Sequence, residues 1–141
     1  MENTIWNESN KPGIITSTKL YFNDLFVGAK RMSRADFWWG YLGTTIFFTV
    51  LLGLLALLET KLPVMDYYWS AVVGVAIAMS FAYYIIAIFT ASIRRLHDVN
   101  LRAWWLLFYL IPGIGFIVWV VLMCLGQRNS SNRFDYDIES D

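Results

Sequence analysis

Three long apolar stretches, separated by short polar segments, dominate the pattern of the chain. No Asp, Glu, Lys, Arg or His occurs in residues 37–58, 67–93 or 103–127. The hydrocarbon core of a bilayer is about 30 Å thick, and a helix needs roughly 20 apolar residues to cross it. A helix on the surface of a soluble domain would instead show a polar face within any two turns. The pattern therefore predicts an all-α, polytopic transmembrane protein and excludes a soluble one.

The first two stretches predict two full spans, over about residues 34–58 and 67–95. Ser33 is placed to cap the first span, with Asp36 at the third helical position bonding back toward it. Asp36 also meets the positive end of the helix dipole. A short loop containing Pro63 is expected between the two spans.

The third stretch, residues 101–125, is interrupted near its middle by the sequence Ile-Pro-Gly-Ile-Gly. Pro112 removes a backbone hydrogen bond, and Gly113 and Gly115 permit a sharp turn. One kinked span fits this pattern, and so does a helical hairpin of two half-length helices that turns at the Pro-Gly step. Non-helical backbone at that depth is tolerated only where protein or water covers it. The break is predicted, and both arrangements stay open.

The apolar segments form a single membrane domain, predicted over residues 19–127, between two tails. Residues 1–18 are predicted to be a flexible polar tail, and residues 128–141 a polar, acidic C-terminal tail. Residues 19–27 begin the domain with apolar positions that share one helix face. These positions are Tyr21, Phe22, Leu25 and Phe26. The face predicts an N-terminal helix that either lies in the membrane interface or packs against the spans.

Small residues recur at every fourth position along the second span. They are Ser70, Gly74, Ala78 and Ala82. Small residues on one face let another helix backbone approach closely, which drives helix association in lipid. The spacing predicts a helix-packing face, directed at either this chain or a second copy of it.

The distribution of Lys and Arg predicts the orientation in the membrane, because cytoplasmic loops carry an excess of both. The loop between the first two spans contains only Lys61, whereas the segment before the first span and the loop after the second contain eight basic residues. The N-terminus and the second loop are therefore predicted to be cytoplasmic. Arg128 and Arg133 join this side if the third segment is a hairpin, giving ten basic residues against one. A straight third span gives eight basic residues on the cytoplasmic side and three on the opposite side.

The densest polar cluster follows the second span, where Asn100 or Asp98 is also placed to cap the next helix. One interpretation is an anion site for lipid phosphates or for the carboxylates of a partner, with Asp98 orienting an arginine. The other is that these residues anchor helix ends and set the orientation. Asn132 and Arg133 would fold back onto the cluster in the hairpin arrangement. The candidate binding residues are Arg31, Arg34, Arg94, Arg95, His97, Asp98, Asn132 and Arg133.

Signals of catalysis and of cofactor binding are missing from the sequence. No Asp, Glu, Lys, Arg or His side chain lies inside an apolar stretch, although proton relays and ion pathways usually need one. The chain has a single His, no zinc-ligand spacing and no Gly-rich phosphate loop. Its formal net charge is zero, which gives no attraction to nucleic acid. We therefore expect no enzymatic activity, no metal, no cofactor and no nucleic-acid partner.

Two blocks of the sequence resemble a known family. The first, Lys-Arg-Met-Ser-Arg-Ala-Asp-Phe-Trp at residues 30–38, resembles the GRxSRxEFW opening of the domain-of-unknown-function 805 family of small bacterial inner-membrane proteins. The second block contains Arg-Arg-Leu-His-Asp at residues 94–98, then Trp104-Trp105, the Ile-Pro step and Asn-Arg-Phe at residues 132–134. It resembles the second half of the family pattern, RRLHD…WW…IP..G…NRFG.

The matches cover residues 30–39 and 94–137, and two positions depart from the family pattern. Lys30 stands where the family usually has a glycine, and Asp135 replaces the glycine after Asn-Arg-Phe. These departures concern the geometry of two turns. The resemblance implies a location in the bacterial plasma (inner) membrane and brings no established biochemical activity with it.

Two functions are compatible with these observations. The leading hypothesis is a non-enzymatic membrane protein that binds anionic membrane lipid or a membrane-protein partner through the cytoplasmic arginine-rich loop. The alternative is a small transporter or channel subunit for an uncharged solute, which would act as a homo-oligomer through the small-residue face and the broken third segment.

Overall fold

Every regular element that the computed structural model describes is helical. The description covers residues 9, 11–61, 67–128 and 130–134. The elements are α1 (Ile14–Asn23), α2 (Arg34–Lys61), α3 (Tyr67–Asp98), a 3₁₀ helix (Ala103–Leu110) and α4 (Ile114–Cys124). Among these residues, α2 and α3 are the two helices long and apolar enough to cross a membrane. The all-α class, with two long apolar helices and a shorter third segment, is confirmed.

Some predictions fall on parts of the chain outside the described residues. These parts are the loop around Pro63, the first eight residues with residue 10, and the acidic residues 135–141. Lys61 and Tyr67 are described by their backbone alone.

The start of α2 is capped as predicted. The Ser33 hydroxyl accepts a hydrogen bond from the Asp36 amide (3.1 Å) and donates one to the Asp36 carboxylate (2.9 Å). Two further hydroxyls, of Ser9 and Ser17, donate to the same carboxylate at 2.6 and 2.7 Å. The cap therefore also ties the segment before α1 to the start of α2.

Helix α1 begins at Ile14, so the prediction of a flexible tail up to residue 18 is wrong for its last five positions. The helix forms there because α1 packs directly against α2. A Cβ atom added to Gly40 of α2 would lie 2.9 Å from the Ser17 carbonyl oxygen, so the two backbones are close together. Burial raises the pKa of Tyr21 well above its ordinary value, and its hydroxyl donates to the Phe37 carbonyl at 2.8 Å.

The apolar face predicted around α1 is divided between packing and exposure. Tyr21 and Leu25 are buried in the core. Phe26, which follows the helix, is 82% exposed. Packing against the spans is therefore the main role of this segment.

Helix α3 continues to Asp98, three residues beyond the predicted end. Its C-terminus is closed by hydrogen bonds from the Leu101 amide to the Leu96 carbonyl (2.8 Å) and from the Asn100 amide to the His97 carbonyl (3.0 Å). Asn100 has a φ of 63°, the left-handed conformation that this type of helix end requires. Asn100 therefore ends α3. The prediction that Asn100 or Asp98 caps the next helix is wrong, because Asp98 is the last residue of α3 and the N-cap of the 3₁₀ helix is Arg102.

The third segment is a hairpin, so the kinked single span is wrong. The 3₁₀ helix and α4 pack against each other across a turn in which Gly113 has a φ of 80°. A Cβ atom on Gly115 would lie 2.7 Å from the Tyr109 carbonyl oxygen, so the two arms meet at this position. The arms have 8 and 11 residues, each about 16 Å long, or half the bilayer core.

The small-residue face of α3 does not pack within the described part of the chain. Its four residues are Ser70, Gly74, Ala78 and Ala82, and all are exposed. No described atom lies within 4 Å of a Cβ added to Gly74. Within the described residues this face therefore has no intrachain partner, and α3 buries Val73, Ala87 and Ala91 instead.

The core lies beside the start of α2 and the end of α3. Trp119 of α4 reaches its centre, with ring centroids 6.0 Å from Phe37 and 5.7 Å from Tyr41. The Trp119 indole donates to the Ser92 hydroxyl at 3.1 Å. These contacts hold the hairpin against both long helices.

Candidate functional site

Four chain segments meet at one end of the molecule, which we call the basic end. It comprises residues 31–36, 94–102, 125–128 and 130–134. The Met32 amide donates to the Arg94 carbonyl (3.2 Å), which joins the start of α2 to the end of α3. The Arg128 amide donates to the Asp98 carbonyl (3.1 Å), which brings the chain after α4 to the same place.

Asp98 lies at the centre of the basic end and is fully buried. Its carboxylate pairs with the Arg31 guanidinium at 3.1 Å and with the Arg95 guanidinium one helical turn earlier. Both arginines are buried as well, with 3% and 0% exposure. A buried charge is tolerated when it is paired and hydrogen-bonded, and all three side chains meet this condition.

The same two arginines also hold the return arm of the hairpin. Arg95 donates to the Met123 carbonyl at 3.2 Å and to the Leu125 carbonyl. These carbonyls lie at the C-terminal end of α4, where the helix dipole favours a cation. Arg31 donates to the Arg128 carbonyl at 3.2 Å. The guanidinium donors therefore bind the protein's own backbone.

Arg94 belongs to a second, separate cluster because successive helical residues point about 100° apart. Its guanidinium lies 3.6 Å from the Asp24 carboxylate and donates to the Leu20 carbonyl at 3.2 Å. It also lies 5.8 Å from the centroid of the Tyr21 ring. Asp24 pairs in addition with Lys30 at 2.6 Å. Arg94 therefore holds α1 and the segment after it against α3.

The chain after α4 folds back onto the end of α3. The Asn132 amide donates to the His97 carbonyl (2.9 Å) and to the Arg128 carbonyl (3.0 Å). The Phe134 ring stacks on the His97 imidazole with centroids 3.9 Å apart. The fold-back predicted for the hairpin arrangement is therefore present, and His97 serves as a stacking surface.

The exposed charges of the basic end are of one sign. The exposed arginines are Arg34, Arg102, Arg128 and Arg133. The carboxylates nearby, of Asp24, Asp36 and Asp98, are buried. Arg133 is held by the Asn100 side chain, which accepts from its Nε at 2.9 Å. The described surface at this end is therefore positively charged.

The structure separates the predicted site residues into groups. Arg31, Arg95 and Asp98 come together with Asn132, while Arg94 lies in its own cluster. Arg34 and Arg133 are on the surface. The turn residues Pro112, Gly113 and Gly115 lie at the far end of the hairpin arms.

Sequence reasoning missed two partners in these clusters. Asp24 has no signal beyond its charge, because its partner Arg94 is distant in the chain. Phe134 was part of the Asn-Arg-Phe motif, but its stacking on His97 needed the hairpin to be known. Within the described ranges, no three His, Cys, Asp or Glu side chains are grouped to hold a metal ion.

Comparisons with known proteins agree with the resemblance seen in the sequence. The family described as "Protein of unknown function (DUF805)" matches residues 25–136. Inner membrane protein YhaH of Escherichia coli strain K12 is 33% identical over 116 residues, which cover 79% of this chain and 88% of that protein. YhaH of Escherichia coli O157:H7 gives the same values.

A shorter similarity extends to inner membrane protein YhaI of Escherichia coli strain K12, which is 39% identical over 46 residues. These residues cover 33% of this chain and 39% of that protein. No solved structure matches the chain. The family match and the similarity to YhaH cover most of the sequence, and the chain therefore belongs to the DUF805 family.

Proposed function

We propose that this protein is a non-enzymatic, multi-pass protein of the bacterial inner membrane whose basic end faces the cytoplasm and binds anionic phospholipid headgroups. The observation that carries the proposal is the exposure of four arginines around three buried carboxylates. Each Lys or Arg near an anionic membrane surface contributes about 1 kcal/mol of attraction. A set of exposed arginines, with the neighbouring carboxylates of the described residues buried, suits such a surface.

The hairpin supports the cytoplasmic placement of this end. It returns the chain after α4 to the end of α3, so Arg128 and Arg133 join the basic residues that flank α2 and α3 there. Ten of the eleven Lys and Arg residues then lie on one side, and Lys61, the last residue of α2, is the exception. An excess of this kind is typical of the cytoplasmic side.

The buried arginines have a different role in this proposal from the one that the sequence suggested. Arg94 and Arg95 are fully buried, and their guanidinium groups contact the protein's own carboxylates and carbonyls. We assign them to the scaffold that positions the surface. The headgroup contacts are assigned to the exposed arginines.

The test compares lipid retention by the wild type and by two variants that each lose one positive charge. Protein purified in mild detergent is mixed with phosphatidylglycerol or phosphatidylcholine, and the bound lipid is counted by native mass spectrometry. We expect the wild type to retain phosphatidylglycerol preferentially. Arg102→Gln should weaken this retention by about 1 kcal/mol, close to fivefold.

Lys61→Gln is the matched control, because it removes one charge from the opposite side of the predicted topology. Its phosphatidylglycerol retention should equal that of the wild type. Equal retention of both lipids by the wild type would overturn the proposal. So would a loss in Lys61→Gln as large as the loss in Arg102→Gln.

A small transporter or channel subunit for an uncharged solute is the second candidate. The observation that favours it is the exposed small-residue face of α3, where Gly74 has no described neighbour within 4 Å of an added Cβ. Such a face suits the association of two copies in lipid. For this candidate, we expect glycerol flux into vesicles that contain the protein, and Gly74→Leu should abolish the flux. Glycerol flux equal to that of empty vesicles would exclude a transporter or channel for this solute.

A further inference from the structure

An apolar groove lies between α3 and the hairpin, with a volume of about 580 Å³. This volume falls within the range of about 300–1,000 Å³ that is usual for ligand sites. Its walls include Tyr84, Ile88 and Ser92 of α3, Leu107 of the 3₁₀ helix, and Phe116 and Trp119 of α4. The groove is separate from the arginine clusters of the basic end.

Several polar groups on the groove wall already have partners within the protein. The Trp119 indole donates to the Ser92 hydroxyl at 3.1 Å, and that hydroxyl donates to the Ile88 carbonyl at 2.8 Å. The Tyr84 and Thr45 hydroxyls are hydrogen-bonded to each other at 3.2 Å. The rest of the lining is largely aliphatic and aromatic, so it suits a hydrocarbon chain better than a polar solute.

The extent of the groove matches one leaflet of a bilayer. Residues 84–92 of α3 extend over about 12 Å at the helical rise of 1.5 Å per residue. Each hairpin arm is about 16 Å long, and half of a hydrocarbon core of about 30 Å is about 15 Å. Ser92 lies one turn before Arg95, so the groove runs from the basic end toward the middle of the membrane.

The end of the groove beside the basic end is next to an exposed cation. Arg102 is exposed and directly precedes Ala103, a residue of the groove wall. We propose that the groove holds one acyl chain of an anionic phospholipid from the leaflet adjoining the basic end, with its phosphate against Arg102. This assignment rests on the proposed function, since it requires headgroup binding at this end.

The first experiment uses the wild-type protein and needs no variant to fold. The protein is placed in lipid nanodiscs with phosphatidylglycerol that carries a diazirine in the middle of one acyl chain, and the crosslinked peptides are identified. We expect labelling concentrated in residues 84–92 and 103–119. Uniform labelling of all the exposed faces of α2 and α3 would overturn the proposal of an acyl-chain site in the groove.

The second experiment blocks the groove. Leu107→Trp adds bulk to the wall at a position that is 52% exposed, and Leu57→Trp makes the same change outside the groove at a position that is 57% exposed. Leu107→Trp should lose most of the groove labelling, whereas Leu57→Trp should keep it. Equal labelling of the two variants would overturn the groove site.

The two proposals fail in different ways. One outcome is that the wild type prefers phosphatidylglycerol but Leu107→Trp changes neither the labelling by this lipid nor its retention. The acyl-chain site in the groove is then wrong, and headgroup binding at the basic end is still supported. If a phosphatidylcholine probe labels the groove as strongly as phosphatidylglycerol does, the anionic headgroup contact at Arg102 is wrong.

Discussion

Two arginines and one aspartate, of opposite charge, are buried in the protein interior at the basic end. Asp98 is shared by Arg31 and Arg95, and the carbonyls of Met123 and Leu125 accept the remaining Arg95 bonds. Removing a charge from water costs several kcal/mol, which pairing and hydrogen bonds offset. The stability of these side chains therefore depends on partners that are distant along the chain.

Replacing Asp98 by Asn tests this dependence. The change leaves two buried guanidinium groups without their shared negative charge, so the free energy of unfolding should fall by about 3–5 kcal/mol. The measurement is thermal unfolding of the purified protein in detergent, where the midpoint temperature should drop clearly. Glu59→Gln removes an exposed carboxylate and is the control, with an expected change within about 0.5 kcal/mol. An Asp98→Asn protein that melts at the wild-type temperature would contradict the account.

At the scale of elements, the contact between α1 and α2 depends on small residues of α2. Gly40 and Gly43 face α1, where an added Cβ would lie close to the Ser17 and Ile14 carbonyl oxygens. Close packing of two backbones leaves no space for a methyl group. The small residues of α3, although more regularly spaced, have no partner helix in the described part of the chain.

Gly40→Ala should therefore weaken the docking of α1. The added methyl group forces α1 away, at a cost of about 1–3 kcal/mol. We expect a lower melting temperature and faster tryptic cleavage at Lys19, which lies in α1. Gly53→Ala is the matched control in α2, because an added Cβ there has no described atom within 4 Å. It should gain up to about 1 kcal/mol from helix propensity. The same melting change in both variants would show that α1 does not depend on this contact.

At the scale of the whole molecule, the described residues before α1 and after α4 both lie at the basic end. Residues 125–128 and 130–134 contact the end of α3, and Ser9 contacts the start of α2. Both contacts are at the basic end. The segments before α1 and after α4 should therefore be on the same side of the membrane.

Single cysteines introduced into a Cys124→Ser background measure this topology. Lys11→Cys and Ser130→Cys should react with a membrane-impermeant maleimide only after the inner membrane is opened. Thr60→Cys, at the other end of α2, should react in intact cells. Reaction of Ser130→Cys in intact cells while Lys11→Cys stays protected would mean that the third segment crosses the membrane.

How much of this could be read from the sequence depends on the distance between interacting residues. The cap formed by Ser33 and Asp36 was predictable, since both partners lie in one helical turn. The docking of α1 on Gly40 was not predictable, because nothing in the sequence pattern of either helix indicates which residues of the other helix it contacts. The ion pair of Arg94 with Asp24 and the stacking of Phe134 on His97 were not predictable for the same reason.

The sequence by itself determined the helical class, the two long apolar helices and the break at Pro112, because apolar length and backbone chemistry are local properties. It also placed most of the positive charge at one end. The tertiary structure decided that the third segment turns back, since Arg95 must reach the carbonyls of Met123 and Leu125. It also decided which arginines are buried and which are exposed. Residue types alone do not distinguish them, because an arginine is buried only where a carboxylate and free carbonyls from other segments surround it.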